Sequence, residues 1–132
     1  MIEKYKGWFI MFLIPLSLFG MCACSDGGSR SYEQITPEQA KTMMDTESEY
    51  VIIDARTTEE YAQGHIANAI LIPEYEIAER AERELPDKDA LILVYCRSGR
   101  RSKIASEELV KLGYTNVKEF GGIIDWPYEV VK

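Results

Sequence analysis

The stretch LILVYCRSGRRS, Leu91–Ser102, decides how this chain folds. It opens on an unbroken apolar run, Leu91 to Tyr95, which reads as a strand buried on both faces. It closes on the start of a helical pattern. Ile104, Ala105, Leu109 and Leu112 share one face of a helix expected over Ser102–Leu112, and Gly113 stops it. Between strand and helix lie Cys96, Arg97, Ser98, Gly99, Arg100 and Arg101. Gly99 permits a backbone turn that a side chain would obstruct. A cysteine among three guanidinium groups is poorly placed for burial in a core and well placed for chemistry. Thiolate is the reactive form of the thiol, and helix N-termini and neighbouring cations favour it.

The same alternation runs outward on both sides. Thr36-Pro37-Glu38-Gln39 carries a cap, a proline suited to the first helical position and a capping-box glutamine, so a helix is expected to run to Met44 or Asp45. Tyr50–Ile53 reads as a buried strand with Asp54 at its C-terminal end. Thr57 and Glu60 form a second capping box, and that helix stops near Gly64. Ala69–Ile72 is a candidate third strand closed by Pro73. Glu74–Leu85 is helical, with Ile77, Ala78, Ala81 and Leu85 on one face and the charged residues Glu79–Glu84 turned outward. Val117–Phe120 is a last short strand before Gly121-Gly122. Strands that are apolar throughout, alternating with helices, indicate an α/β fold with a parallel sheet covered on both faces.

In such sheets, ligands bind beyond the carboxyl ends of the strands. Asp54 and Cys96 each follow a strand and are therefore expected on one edge. The amides of the Cys96 loop and the free N–H groups of the following helix can converge on one anion. No histidine lies near Cys96 in sequence, so activation falls to amides and arginines rather than to a general base. Attack of a thiolate on an electrophilic sulfur suits that arrangement.

Four motifs in order, VIIDAR (Val51–Arg56), GHIANAILIP (Gly64–Pro73), YCRSGRRS (Tyr95–Ser102) and GGIIDW (Gly121–Trp126), resemble the single-domain rhodaneses, which are sulfurtransferases. The resemblance runs from about Tyr32 to Lys132. It implies a five-stranded parallel sheet with helices on both faces. It also implies a ping-pong cycle in which Cys96 takes a sulfane sulfur from thiosulfate or a similar small anionic donor, becomes a persulfide, and passes the sulfur to a thiol or to cyanide. On this reading Arg97, Ser98, Gly99, Arg100, Arg101 and Ser102 bind the substrate, with loop amides holding the persulfide and Arg97 and Arg101 orienting the donor's oxygens. Asp54 and Arg56 match an Asp-x-Arg motif that braces the loop, or else form a purely structural ion pair. His65 is expected as a packing residue, and Trp126 as a pocket wall or core aromatic. The alternatives are a sulfur carrier or anion-binding module without turnover and, further off, a cysteine phosphatase or arsenate reductase. Cysteine phosphatases place five residues between cysteine and arginine. Here that position is Ser102, and Arg101 closes a smaller loop.

The whole chain sets the remaining bounds. It has 132 residues and a net charge of −7. That balance argues against nucleic-acid binding, which needs clustered Lys and Arg. The cysteines are Cys22, Cys24 and Cys96, and the one histidine is His65. Those are too few for a disulfide framework or a zinc site, so neither metal nor cofactor is expected. Lys4 and Lys6 precede an apolar run from Trp8 to Phe19, the layout of a secretory signal. Met21-Cys22-Ala23-Cys24 resembles the lipid-attachment end of a bacterial lipoprotein signal, with Cys24 the better candidate because Ala23 precedes it. The expected organisation is a signal peptide over 1–23, a lipidated Cys24 and tether over 24–34, and a rhodanese domain over 35–132. The protein is then exported and lipid-anchored in the cell envelope, periplasmic or at the outer membrane, and monomeric.

Overall fold

The computed structural model describes residues 31–132. The expectations for the signal segment and for lipidation of Cys24 lie outside the described residues. The described chain runs β1 (Glu33–Gln34), α1 (Pro37–Thr46), β2 (Val51–Asp54), α2 (Thr58–Gln63), β3 (Ile70–Leu71), a 3-10 turn (Glu74–Glu76), α3 (Ile77–Glu84), β4 (Ile92–Cys96), α4 (Arg100–Lys111) and β5 (Val117–Gly122). A second 3-10 turn, Ile123–Asp125, follows. The strands form one sheet in the order β1-β5-β4-β2-β3, and every pairing is parallel.

Both capping boxes form as the sequence predicts. Thr36 Oγ1 accepts from the Gln39 amide at 3.0 Å, and Gln39 Oε1 accepts from the Thr36 amide at 2.9 Å. Thr57 and Glu60 make the equivalent exchange at the start of α2. Three elements differ from expectation. α4 begins at Arg100, not Ser102, because Gly99 takes the N-cap position with φ +108°. The helix expected over Glu74–Leu85 divides into the 3-10 turn and α3. Glu33 and Gln34, placed in the tether by sequence, form an edge strand beside Lys118 and Glu119. The Ile35 amide extends that pairing by donating to the Glu119 carbonyl at 2.9 Å.

Strand parity sets the orientation of the site. Successive side chains of a strand face opposite sides. Ile92, Val94 and Cys96 of β4 pack with Ile77, Ala81, Ala105 and Leu109 on the α3/α4 side. Leu93 and Tyr95 face the other side with Ala40, Ile66 and Phe120. Ile92, Leu93 and Val94 have no exposed surface, and burying each such side chain stabilises by about 1.5–3 kcal/mol. The apolar run thus fixes β4 at the sheet's centre and delivers Cys96 to the N-terminus of α4. Register between β4 and β5 shifts after Val94, so that Cys96 sits opposite Gly122.

Candidate active site

Cys96 is the last residue of β4, and its side chain points beneath the turn Arg97–Gly99. The Gly99 amide donates to Sγ at 3.0 Å. The positive φ of Gly99 aims that N–H back at the sulfur, a conformation that glycine adopts without steric cost. Ser102 Oγ lies 3.3 Å from Sγ on the first turn of α4. The cysteine is 1% exposed, so the sulfur lies under the loop rather than on an open floor.

The GG motif supplies the wall. A Cβ on Gly122 would lie 1.9 Å from the Arg97 carbonyl oxygen and 2.5 Å from the Ser98 nitrogen. Only a glycine lets β5 approach the cysteine loop this closely. The Ile124 amide then donates to the Arg97 carbonyl at 3.3 Å. These contacts tie GGIIDW to YCRSGRRS, two motifs separated in sequence by the whole of α4.

The arginines divide in role. Arg97 and Arg100 are exposed. Arg101 is not free to reach outward: its two terminal nitrogens donate to Glu60 Oε1 and Oε2 at 2.6 and 2.9 Å. Hydrogen bonding to Glu60 holds the Arg101 pKa above its ordinary value against burial, with smaller help from the charges of Glu60, Cys96 and Asp54. The same ion pair holds the Glu60 carboxyl down at about 2. Glu60 was legible only as a helix cap; nothing in the sequence signals its reach to Arg101.

Asp54 and Arg56 form a buried pair. Arg56 Nε and Nη2 donate to Asp54 Oδ1 and Oδ2, the latter at 2.7 Å, and Nη2 also donates to the Gly64 carbonyl at 2.7 Å. The Tyr95 hydroxyl donates to Asp54 Oδ2 at 2.7 Å and accepts from the Ile66 amide at 3.0 Å. Burial works most strongly against the Arg56 charge, but hydrogen bonding to Asp54 together with the charges of Asp54 and its neighbours outweighs it, so the guanidinium pKa rises. Burial, and then the Asp54 charge, push the Tyr95 phenol up. The network locks β2 to β4 and to the end of α2, behind the loop. His65 stacks on Tyr61 with ring centroids 3.7 Å apart and bonds the Tyr61 carbonyl through Nδ1; it packs, as expected. Trp126 packs on Phe120 and Tyr128 and also lines the cleft.

That cleft, about 440 Å³, is lined by Arg56, Glu60, Gln63, Gly64, Arg97, Ile123, Ile124, Trp126, Tyr128 and Val130. A larger hollow of about 760 Å³ lies at the opposite ends of the strands. Glu47, Glu49, Asp87 and Asp89 line it with no cation among them, which suits no anionic substrate. One further buried residue belongs to the site and was not singled out by sequence. Glu119 of β5, 3% exposed, accepts from the Ser102 hydroxyl at 2.7 Å and from the Gly121 amide at 2.8 Å. Its signal was available in strand parity: Glu119 falls on the same face of β5 as Val117, which packs in the core.

Comparison with known proteins agrees with this architecture. The family model of the rhodanese-like domain matches residues 36–127. The thiosulfate sulfurtransferase PspE of Escherichia coli is 44% identical over 80 residues, covering 61% of this chain and 77% of that protein. A sulfurtransferase of Allochromatium vinosum is 41% identical over 88 residues, covering 66% of this chain and 79% of its own length. Among solved structures, a rhodanese with anions from E. coli superposes with a TM-score of 0.60 at 42% identity, covering 63% of this chain and 98% of that one.

Proposed function

Because the chain belongs to the rhodanese family and is an enzyme of the thiosulfate sulfurtransferase type, we propose that Cys96 carries the transferred sulfur as a persulfide. One observation carries this reading: Sγ sits at the N-terminus of α4 with the Gly99 amide donating to it, beside a cleft that holds Arg97.

In the first half-reaction the Cys96 sulfur attacks the outer sulfur of thiosulfate. A new S–S bond forms, the donor's own S–S bond breaks, and its electron pair leaves with sulfite. The Gly99 amide and the α4 N-terminus stabilise the negative charge that the persulfide retains. Arg97 binds the donor's sulfonate oxygens from the cleft side. Arg101, committed to Glu60, shapes the loop rather than clasping the donor. In the second half-reaction a thiolate or cyanide attacks the outer persulfide sulfur, and Cys96 leaves as thiolate. Since Cys96 is 1% exposed, each transfer requires the exposed Arg97–Ser98 turn to lift from Gly122. Ile123, Ile124, Trp126 and Tyr128 present an apolar wall to the acceptor.

The test is incubation of the full chain with thiosulfate, followed by mass analysis of the Cys96 peptide and a cyanide discharge assay. Wild type gains the mass of one sulfur on Cys96 and produces thiocyanate. Cys96→Ser does neither. Turnover by Cys96→Ser at the wild-type rate would overturn the proposal.

A further inference from the structure

Glu119 has no part in the cycle above, yet it is buried directly behind the nucleophile. Its position is unusual on physical grounds. Carboxylates are rarely buried without a cationic partner, and the hydrogen-bond partners of Glu119 are the Ser102 hydroxyl and the Gly121 amide. Ser102 is itself fully buried. Its Oγ has one proton to give. Of the acceptors around it, Glu119 Oε1 at 2.7 Å is nearer than the Gly99 carbonyl at 3.0 Å or the Gly121 carbonyl at 3.3 Å. A hydrogen bond to a carboxylate is also the stronger kind. With that proton pointed at Glu119, the oxygen's lone pairs face Cys96, whose S–H donates to it across 3.3 Å. The result is a directed chain: Cys96 S–H to Ser102 O–H to Glu119 carboxylate.

We propose that Glu119 is the proton acceptor of the Cys96 thiol, acting through the Ser102 hydroxyl. This rests on Cys96 being the sulfur carrier. As Sγ forms its bond to the donor's outer sulfur, the thiol proton passes to Ser102 Oγ and the serine proton passes to Glu119. Sulfite leaves with the electron pair of the broken S–S bond, and the charge is conserved: one carboxylate is neutralised as one persulfide anion appears. When an acceptor thiolate removes the outer sulfur, the chain runs in reverse and Cys96 regains its proton. No exchange with solvent is needed. Of the titratable groups around this chain, Tyr32 from the β1 side feels the charges of Glu119 and of Glu107 on α4, and Cys96 on β4 reaches Glu119 only through Ser102. Among the described residues none of these is a lysine or arginine that would fix Glu119 as a permanent ion pair.

The experiment compares loading of Cys96 by thiosulfate in wild type, Glu119→Gln and Ser102→Ala from about pH 6 to about pH 9, a range that spans the ordinary thiol pKa. Glutamine keeps an oxygen for Ser102 and Gly121 but cannot take a proton. Loading in Glu119→Gln is expected to be slower by about tenfold to a hundredfold at the acid end, and to converge on wild type at the alkaline end, where solvent removes the proton. Ser102→Ala gives the same pH signature, and the double variant loses no more than either single one. A wild-type to Glu119→Gln ratio that stays flat with pH, or a variant that loads faster than wild type, overturns the proposal. If neither variant folds, infrared difference spectra of wild type upon loading decide it. A new carboxylic-acid carbonyl band, absent in Cys96→Ser, is required, and its absence sinks the relay. Failure of wild type to load at all would instead overturn the persulfide reading itself.

Discussion

At position 122 the absence of one methyl group decides whether the cysteine loop can close. The Arg97 carbonyl and Ser98 nitrogen occupy the space where a Cβ would stand, at 1.9 and 2.5 Å. Neither is a flexible side chain that could swing away; both are backbone. Gly122→Ala therefore displaces either the loop or the end of β5. Overpacking of this kind costs about 1–3 kcal/mol, and the displaced loop carries the Gly99 amide away from Sγ. The expected result is a modest fall in thermal midpoint with a disproportionate loss of sulfur loading, at least about tenfold. Calorimetry and Cys96 mass analysis on the same sample check it; normal loading would show that the loop does not need this approach. The sequence already carried this constraint as a glycine pair preceding IIDW, but not its partner. That the glycine ending β5 exists to admit the carbonyl of Arg97 follows only from strand order, which places β5 next to β4.

Among the elements, the starts of the two helices with capping boxes are the most legible features, because caps act over three residues and need no tertiary knowledge. Thr36 with Gln39 and Thr57 with Glu60 did in the structure what their spacing implied. What spacing concealed is that Glu60 serves two masters. It caps α2 and also receives Arg101 from the first turn of α4, joining helices 41 positions apart in sequence. β1 was invisible because Glu33 and Gln34 are polar, exposed and only two residues long; their strand character comes from β5, not from themselves. The start of α4 was misplaced because apolar periodicity begins at Ile104, whereas the backbone turns helical as soon as Gly99 allows it.

The Glu60–Arg101 pair has a pH signature of definite sign. Hydrogen bonds from Arg101 hold the Glu60 carboxyl at about 2 in the fold, against an ordinary value of 4.5. A depressed carboxyl pKa stabilises the fold above the unfolded value, and that stabilisation is lost as pH falls from 4.5 towards 2. Glu60→Gln keeps the capping box and removes the charge. Both side chains remain about a quarter exposed, so solvent screening limits the pair to about 0.5 kcal/mol, or about 2–4 °C in midpoint. Wild type should exceed Glu60→Gln by that margin at neutral pH, and the margin should close below pH 4.5. A margin unchanged at low pH would mean that the ion pair contributes nothing to the fold.

For the molecule as a whole, the governing conflict is between a net charge of −7 and a doubly negative donor. On the proposed cycle, net charge repels thiosulfate and Arg97 in the cleft attracts it. Distance decides which prevails. The screening length is about 8 Å at physiological ionic strength and about 30 Å at 0.01 M, so at ordinary salt the donor responds to the nearest groups. Within the cleft that is the exposed Arg97, with Arg101 neutralised by Glu60 and Arg56 by Asp54; the exposed Arg100 follows in the same loop, at the start of α4. The acidic hollow at Glu47, Glu49, Asp87 and Asp89 lies at the far ends of the strands and contributes only when screening is weak. Fold topology therefore separates the two fields: the acidic hollow at one end of the sheet, and at the other Arg97 and Arg100, which form no ion pair among the described residues. Raising ionic strength from about 0.05 to about 0.5 M should slow thiosulfate loading several-fold, as local attraction is screened. Arg97→Ala and Arg100→Ala together should flatten that dependence while leaving the thermal midpoint within about 2 °C, because exposed side chains contribute little to stability. Stopped-flow loading rates across a chloride series measure it. A wild-type rate that climbs with salt would show that the distant carboxylates control donor approach, and that the arginines at the mouth do not gather the substrate.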